Sequence, residues 1–279
     1  GQHGAQKGNM MAHDGSPFLI LASLLGLVVL AQDSKCPTLA ANPSCPCFNF
    51  EDGIFLECPA ATANSLRSVL RMVSGPIQSL SIYDLDRTIA KLTPDFFPEG
   101  SVIKHLQISQ SNLEEIQGDC LITIKPELES LSLVSGKLRE IPQKAFTGLV
   151  KLIALDLESN EINDLPSYSF YGLRLIKLNM KGNQIQKVSE YAFAGLEDSL
   201  SELDLAENKL LNFPMTAFRR LERLKLLRLS WNQISSIPDD GYSRLDSLLF
   251  LDLSSNNFEK LAEDCFRPCP SVRTLSLYY

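Results

Sequence analysis

Side chains able to carry acid–base chemistry near neutral pH are scarce in this chain. Its histidines are His3, His13 and His105, and an apolar leader described below would remove the first two. His105 would need a carboxylate and a nucleophile brought beside it to form a triad. The repeat frame gives it Ser79 and Ser130 as strand neighbours, with no carboxylate nearby in that file. Asp156 and Glu158 form a carboxylate pair, but on an open face with nothing to exclude water or raise a pKa. Neither G-x-S-x-G nor H-E-x-x-H occurs, and no phosphate loop or dinucleotide fingerprint follows a strand. The residues predict no catalytic site, no cofactor and no metal site.

The remaining reactive groups are the seven cysteines. Cys36, Cys45, Cys47 and Cys58 are spaced C-x8-C-x-C-x10-C, without the C-x2-C pairs of a metal site. In an oxidising compartment four clustered cysteines read as two disulfides, for which the spacing leaves three connectivities. Cys120 and Cys265 fall in a slot that is small in other coils, where a free thiol behaves as a small hydrophobe. Cys269 takes a slot that is leucine elsewhere. A Cys265–Cys269 disulfide and a pair of buried thiols are both open readings, and the first would leave Cys120 as the odd thiol.

Secretion fits these cysteines. FLILASLLGLVVLA, residues 18–31, is apolar for 14 residues, short of the roughly 20 needed to span a bilayer. It reads as a signal peptide cut after Ala31, with Val29 and Ala31 as the small residues before the cut. Residue 1 is glycine, so translation is expected to start at Met10 or Met11. The segment before the apolar run carries His13 and Asp14 but no lysine or arginine, which is unusual for a leader. The chain is 44% hydrophobic and 21% charged with a formal net charge of −7, a balance that argues against a nucleic-acid partner. No N-x-S/T acceptor follows, since Asn42 precedes Pro43, so both faces are expected to be free of N-linked glycans.

The elements that would position any site come from an internal repeat. Leucines that open an L-x-L-type doublet fall at 80, 106, 131, 155, 178, 203, 227, 251 and 275, at intervals of 23–26 residues. Five residues on come Asn160, Asn183, Asn208, Asn232 and Asn256. Fifteen residues on come Phe146, Phe170, Phe193, Phe218, Tyr242 and Phe266. This is the leucine-rich-repeat pattern. Doublet leucines alternate along a short strand and point inward. The asparagines can satisfy backbone groups left open by the following turn, and the later aromatic packs under the convex side. No coil buries its apolar face alone, so stacking must do so. The expected fold is an α/β solenoid, a horseshoe with a parallel concave sheet and short helical or irregular convex segments. Residues 32–76 form a Cys-rich cap and 77–279 about nine coils. Leu85, Ser111 and Gly136 occupy the early asparagine slots, so the ladder should be weak there. The chain stops one residue before the next expected asparagine, which predicts a fragment of a longer protein, anchored to a membrane only if a further segment does so.

Function then falls to the side chains flanking the doublets. The first four repeat strands of such a sheet would show small neutral residues, and from the fourth to the eighth the face would be charged, with Lys177, Lys181, Asp204, Arg228 and Asp252, whose alternating signs could simply pair across strands. Leu226 and Phe250 are adjacent in the file before the doublet, and Trp231 lies at the rim four residues after its leucine. Tyr278 and Tyr279 extend this cluster. Exposed aromatics beside an arginine have the composition of a binding hot spot; packing against further coils is the other reading.

The cap, the A-F-x-G-L phrases at Ala145 and Ala192, and runs such as LDLSSNNF and PDDGYSRL make the chain resemble the N-terminal part of long arthropod extracellular leucine-rich-repeat proteins of the chaoptin and artichoke type. That resemblance implies a cap paired Cys36–Cys47 and Cys45–Cys58, and a cell-surface or matrix role in adhesion or sensory-organ development. It carries no catalytic residues. The expected function is a secreted or cell-surface module that binds protein partners, or associates with itself, through the solenoid. A receptor ectodomain for defence or signalling, or a non-catalytic subunit of a secreted enzyme complex, are the alternatives.

Overall fold

A computed structural model describes residues 35–37 and 45–278; the leader read over residues 1–31 and Tyr279 lie outside the described residues. The chain opens with β1 (Cys47–Phe50) and β2 (Gly53–Pro59), which pair antiparallel. Helix α1 (Ala63–Met72) follows. Thr62 and Ser65 cap it reciprocally, and Leu66, Val69 and Leu70 form its buried stripe. Then come β3 (Ile77–Tyr83), β4 (Lys91–Leu92), β5 (Ile103–Ser109), β6 (Glu115–Ile116), β7 (Ser130–Val134) and the single turn α2 (Gln143–Phe146). Further coils supply β8 (Ala154–Asp156), β9 (Asp164–Leu165), β10 (Lys177–Asn179), β11 (Lys187–Val188), β12 (Glu202–Asp204), the turn α3 (Met215–Phe218), β13 (Leu226–Arg228), β14 (Phe250–Asp252) and β15 (Thr274–Ser276).

One 11-stranded sheet runs β1-β2-β3-β5-β7-β8-β10-β12-β13-β14-β15. Beyond β1 every pairing is parallel, and each doublet leucine meets its counterpart, from Leu80 opposite Leu106 to Leu251 opposite Leu275. This register keeps one set of side chains buried and the other on the concave face in every strand. On the opposite side β4 pairs with β6 and β9 with β11. The doublet leucines from 80 to 251 are buried, as are Phe146, Phe170, Phe193 and Phe218. Phe170 and Phe193 stack with centroids 6.1 Å apart, and Phe193 and Phe218 repeat that distance.

Tyr242 does not continue that stack, contrary to its expected place in it. Its side chain is 72% exposed, and Ser243 is buried instead. Asp240 decides this: its carboxylate accepts from the backbone N–H groups of Tyr242 and Ser243 at 2.9 and 2.6 Å and from the Ser243 hydroxyl at 2.6 Å. Those hydrogen bonds hold its pKa down to about 2. The turn they define presents Tyr242 to solvent, where the Arg219 guanidinium lies 5.8 Å from the ring centre.

The asparagines close each coil onto the next. Asn208 is typical: its Nδ2 donates to the carbonyls of Met180 and Leu205 at 3.1 and 3.0 Å, and its Oδ1 accepts from Ile185 N–H at 3.0 Å. Asn183, Asn232 and Asn256 repeat the pattern. Asn160 reaches back to the Leu133 carbonyl at 2.7 Å, so the ladder begins one coil earlier than its first asparagine. There Gly136 leaves the room required: a Cβ would stand 2.8 Å from Asn160 Oδ1. A second device recurs one residue before the asparagine slot. Asp84, Gln110, Ser135, Ser159, Gly182, Glu207, Trp231 and Ser255 all have left-handed φ, between 52° and 71°. From Asp84 to Trp231, each donates its N–H to a carbonyl of the next coil, as Trp231 does to Ser254 at 2.9 Å.

Cys36 bonds Cys47 and Cys45 bonds Cys58. The remaining disulfide reading is overturned: Cys265 and Cys269 are free thiols, as is Cys120. Cys269 packs in the core while Cys265 is only half-buried, so the two sulfurs sit in different surroundings. Burial pushes the Cys120 and Cys269 thiols up to about 12 and about 11. Alkylation of the native protein with iodoacetamide followed by peptide mass mapping should therefore label Cys265 first, with Cys120 and Cys269 labelled only after denaturation. Asn208→Ala should lower stability by about 1–3 kcal/mol, because it removes a partner from four backbone groups, three of them carbonyls; urea unfolding monitored by circular dichroism measures it.

Candidate functional site

The concave face is what the repeat leaves over. Residues before and after each doublet leucine form two files: Ser79, His105, Ser130, Ala154, Lys177, Glu202, Leu226 and Phe250 in one, and Ser81, Gln107, Ser132, Asp156, Asn179, Asp204, Arg228 and Asp252 in the other. The predicted residues do not all face a partner equally. Lys177 reaches Glu202 at 3.7 Å, and Lys181 reaches Glu207 at 3.6 Å, so both ammonium groups already have a partner across strands. Asp204 and Asp252 each accept a hydrogen bond from a backbone N–H two residues on, Ala206 at 2.9 Å and Ser254 at 3.0 Å. Asp156 and Asn179 do the same for Glu158 and Lys181, both at 2.9 Å. This file is a set of strand-end caps before it is anything else.

Leu226, Arg228 and Phe250 are brought together. Leu226 pairs directly with Phe250, and the Arg228 guanidinium lies 5.3 Å from the centre of the Phe250 ring, within cation–π range. Trp231 projects from the rim with 64% of its surface exposed. Its backbone slot is the left-handed one, which is unfavourable for a bulky side chain; the equivalent residues in the other coils are small, polar or glycine. Tyr278 lies beyond β15 and is also exposed.

Asp156 and Asp204 carry raised pKa values because half-burial on the sheet disfavours their charge. Glu158 adds like charge beside Asp156, while Arg228 offsets part of the effect at Asp204. None of the three carboxylates is in an ion pair among the described residues. The centre of the face is thus acidic and largely uncompensated.

Two features were not visible in the repeat frame. His105 does have a carboxylate beside it: Nδ1 lies 2.7 Å from Ser130 Oγ and Nε2 lies 3.8 Å from Glu129 Oε2. Glu129 precedes the file position, so counting along the files misses it. The trio stands open on the sheet, with the His105 and Glu129 side chains both well over a third exposed, and no enclosure excludes water from it as acyl transfer would need. The second feature lies in the cap. Because β2 joins the sheet in register, Phe55 pairs with Ser79 and enters the first file. Phe48 pairs with Phe55, and Phe50 shares its face two residues on. Phe50 meets the Phe55 ring edge-on at 4.9 Å and stands 6.4 Å from Phe48. The hairpin turn Glu51-Asp52-Gly53 between alternating phenylalanines was the available signal.

The leucine rich repeat family model matches residues 126–185, 198–258 and 232–279, together just over half of the chain, and the chain belongs to that family. Human lumican is 33% identical over 142 residues, 50% of this chain and 39% of lumican. Leucine-rich repeat-containing protein 3 of Danio rerio is 35% identical over 127 residues, 45% of this chain and 38% of that protein. The chain thus spans less than two-fifths of either relative. Among solved structures, TLR13 in its complex with ssRNA13 superposes with a TM-score of 0.66 at 23% identity, over 79% of this chain and 31% of that one. A leucine-rich-repeat protein of Leptospira interrogans gives 0.65 at 24%, over 81% and 54%. At these identities the two structures show the fold alone. Among the described residues no helix is long and apolar enough to cross a membrane.

The capping file supplies an internal control on its own electrostatics. Asn179 makes the cap that Asp156 makes, without charge. Asp156→Asn should keep the cap and remove a half-buried anion beside Glu158, raising the melting temperature by about 1–2 °C at pH 7. Because the folded pKa of Asp156 is raised, the penalty is full above it and is lost only as pH falls below the ordinary carboxylate value, so the gain should shrink with pH and vanish once the carboxyl is protonated in both states. Asp156→Ala loses the cap and should lower the melting temperature at both pH values.

Proposed function

We propose that this chain is a non-catalytic extracellular binding module that holds a protein partner on its concave face, with Trp231, Phe250, Leu226 and Arg228 as the anchors. Trp231 carries the reading. A solenoid selected for stability alone would place serine, asparagine or glycine in a left-handed slot; four of the eight coils hold serine or glycine there, three hold Asp84, Gln110 and Glu207, and only Trp231 is apolar and aromatic. A tryptophan there, mostly exposed at the rim, costs backbone energy and gains nothing in the core. Large rigid aromatics and arginine are the residues that dominate binding energy at interfaces, and leucine-rich-repeat proteins in general act through protein contacts.

Two disulfides in the cap favour an oxidising compartment, consistent with the leader read at residues 18–31. Secretion or display at the cell surface follows from that reading, and adhesion or matrix assembly in sensory-organ development follows from the resemblance to chaoptin- and artichoke-type proteins. A nucleic acid is disfavoured as occupant: Asp156, Glu158 and Asp204 would meet its phosphates, and the two lysines of the face are already paired.

The test uses the full chain immobilised as wild type, Trp231→Asn and Phe250→Ser, exposed to extracellular-matrix extract and, separately, to single-stranded RNA. Trp231→Asn should fold at least as stably as wild type, by up to about 1 kcal/mol, since asparagine tolerates the left-handed slot. A protein captured by wild type should be reduced at least ten-fold by both variants. Capture unchanged in correctly folded variants would remove the anchors, and binding of RNA in place of protein would overturn the class of partner.

A further inference from the structure

The concave face has a second apolar end. Phe48 and Phe50 of β1 are 45% and 59% exposed, and Phe55 of β2 is half-buried beside them. All three lie on the same side of the sheet as Leu226 and Phe250, because past a register shift at Ile54/Phe55 the sheet runs continuous and in register from Phe55 to β14, and Phe48 pairs with Phe55. Eight strand steps separate Phe55 from Phe250. At about 4.8 Å per step that is roughly 38 Å along the sheet. The floor between is polar. Its first strands show Ser79, Ser81, Ser130 and Ser132, and its centre holds the acidic group Asp156, Glu158 and Asp204 without an ion-pair partner among the described residues.

We infer that both ends grip one partner, an elongated protein segment with apolar side chains at its two ends and lysine or arginine between them. The inference rests on the concave-face reading above and adds to it the partner's length and charge. Three aromatic rings clustered on solvent-exposed strands bury nothing of this chain's core: the cap's own interior is closed by Ile54, Leu56 and Cys58 on the other face of β2. A cluster of that kind is costly to leave in water. Apart from His105 and Gln107 of β5, the strands next to it show only serines on this face and leave backbone close to the surface, where a segment can lie along the sheet. The uncompensated carboxylates at mid-face select the charge of what lies over them. A second copy of this chain fits less well, since its own concave face would bring acid against acid.

The experiment uses the full chain and three synthetic 14-residue peptides in fluorescence anisotropy at low and physiological salt. One carries leucine and tryptophan at both ends with lysine and serine between; one replaces its lysines with glutamate; one keeps the apolar pair at a single end. The two-ended lysine peptide should bind wild type and weaken at least ten-fold with Phe50→Ser and with Trp231→Asn, and its affinity should fall with salt. Phe48→Ser serves as a second cap variant, and circular dichroism with intact disulfides certifies each. Loss only with Trp231→Asn would keep the single anchor of the preceding section and overturn the two-ended partner; loss with neither overturns both. Equal binding of the glutamate peptide, or no binding of the lysine peptide to wild type, overturns the assigned charge. Self-association of the wild type in sedimentation, abolished by Phe50→Ser, would make the second copy the occupant and overturn the proposal.

Discussion

Everything in this molecule depends on how one coil closes onto the next. A strand of three residues with a buried doublet cannot hold itself together, and the turn that follows it leaves carbonyls and an N–H facing the interior, where unpaired they would each be costly. The asparagine amide solves this within a space of one side chain. It donates to carbonyls of two successive coils and accepts from the N–H beyond the turn in the earlier one, as Asn208 does toward Met180, Leu205 and Ile185. A carboxylate could not donate and an aliphatic chain could do neither. The left-handed residue just before it supplies the backbone reversal and one further rung to the next coil. Once those two positions are fixed, the strand register is fixed, and with it which side chains are left on the concave face.

The same economy explains the charges on that face. Asp156, Asn179, Asp204 and Asp252 sit one residue after the doublet leucine in four of five consecutive coils, Arg228 taking the fifth place, and each ties down a strand end. Their first duty is local. Burial at Asp156 and Asp204 works against their charge, which Arg228 offsets only in part at Asp204, while Lys177 and Lys181 pair with other acids at Glu202 and Glu207. A functional surface here is therefore built partly from structural residues, and the residues that have no structural duty, Trp231 and the cap phenylalanines, stand out against it.

Most of the fold was legible because its signals are local and repeated. The doublet leucines, the asparagines and the buried Phe146, Phe170, Phe193 and Phe218 could be placed by counting. What could not be counted was long-range or competitive. That β2 joins the repeat sheet depends on a pairing between Phe55 and Ser79 that no repeat frame contains, so Phe48, Phe50 and Phe55 were missed as surface residues. Glu129 reaches His105 through its side-chain length from a position outside the files. Tyr242 was placed in the core by its spacing and removed from it by Asp240, whose hydrogen bonds outweigh the burial of one ring at that turn. The leucine–phenylalanine contact at Leu226 and Phe250 was read from adjacency alone; the guanidinium lying against the ring needed coordinates.

Because successive strands carry the same turn geometry, the distance between the two ends of the concave face behaves as a gauge with fixed graduations. Insertion or deletion of one whole coil, about 24 residues, would move the cap phenylalanines and Trp231 apart or together by a single strand spacing of about 4.8 Å, and neither cluster would change internally. Changes of a residue or two within a coil leave the step as it is, since intervals of 23–26 residues here all keep leucine opposite leucine. Such a protein can change the length of what it measures only in whole steps, through duplication or loss of a coil, and point substitution can alter only the jaws.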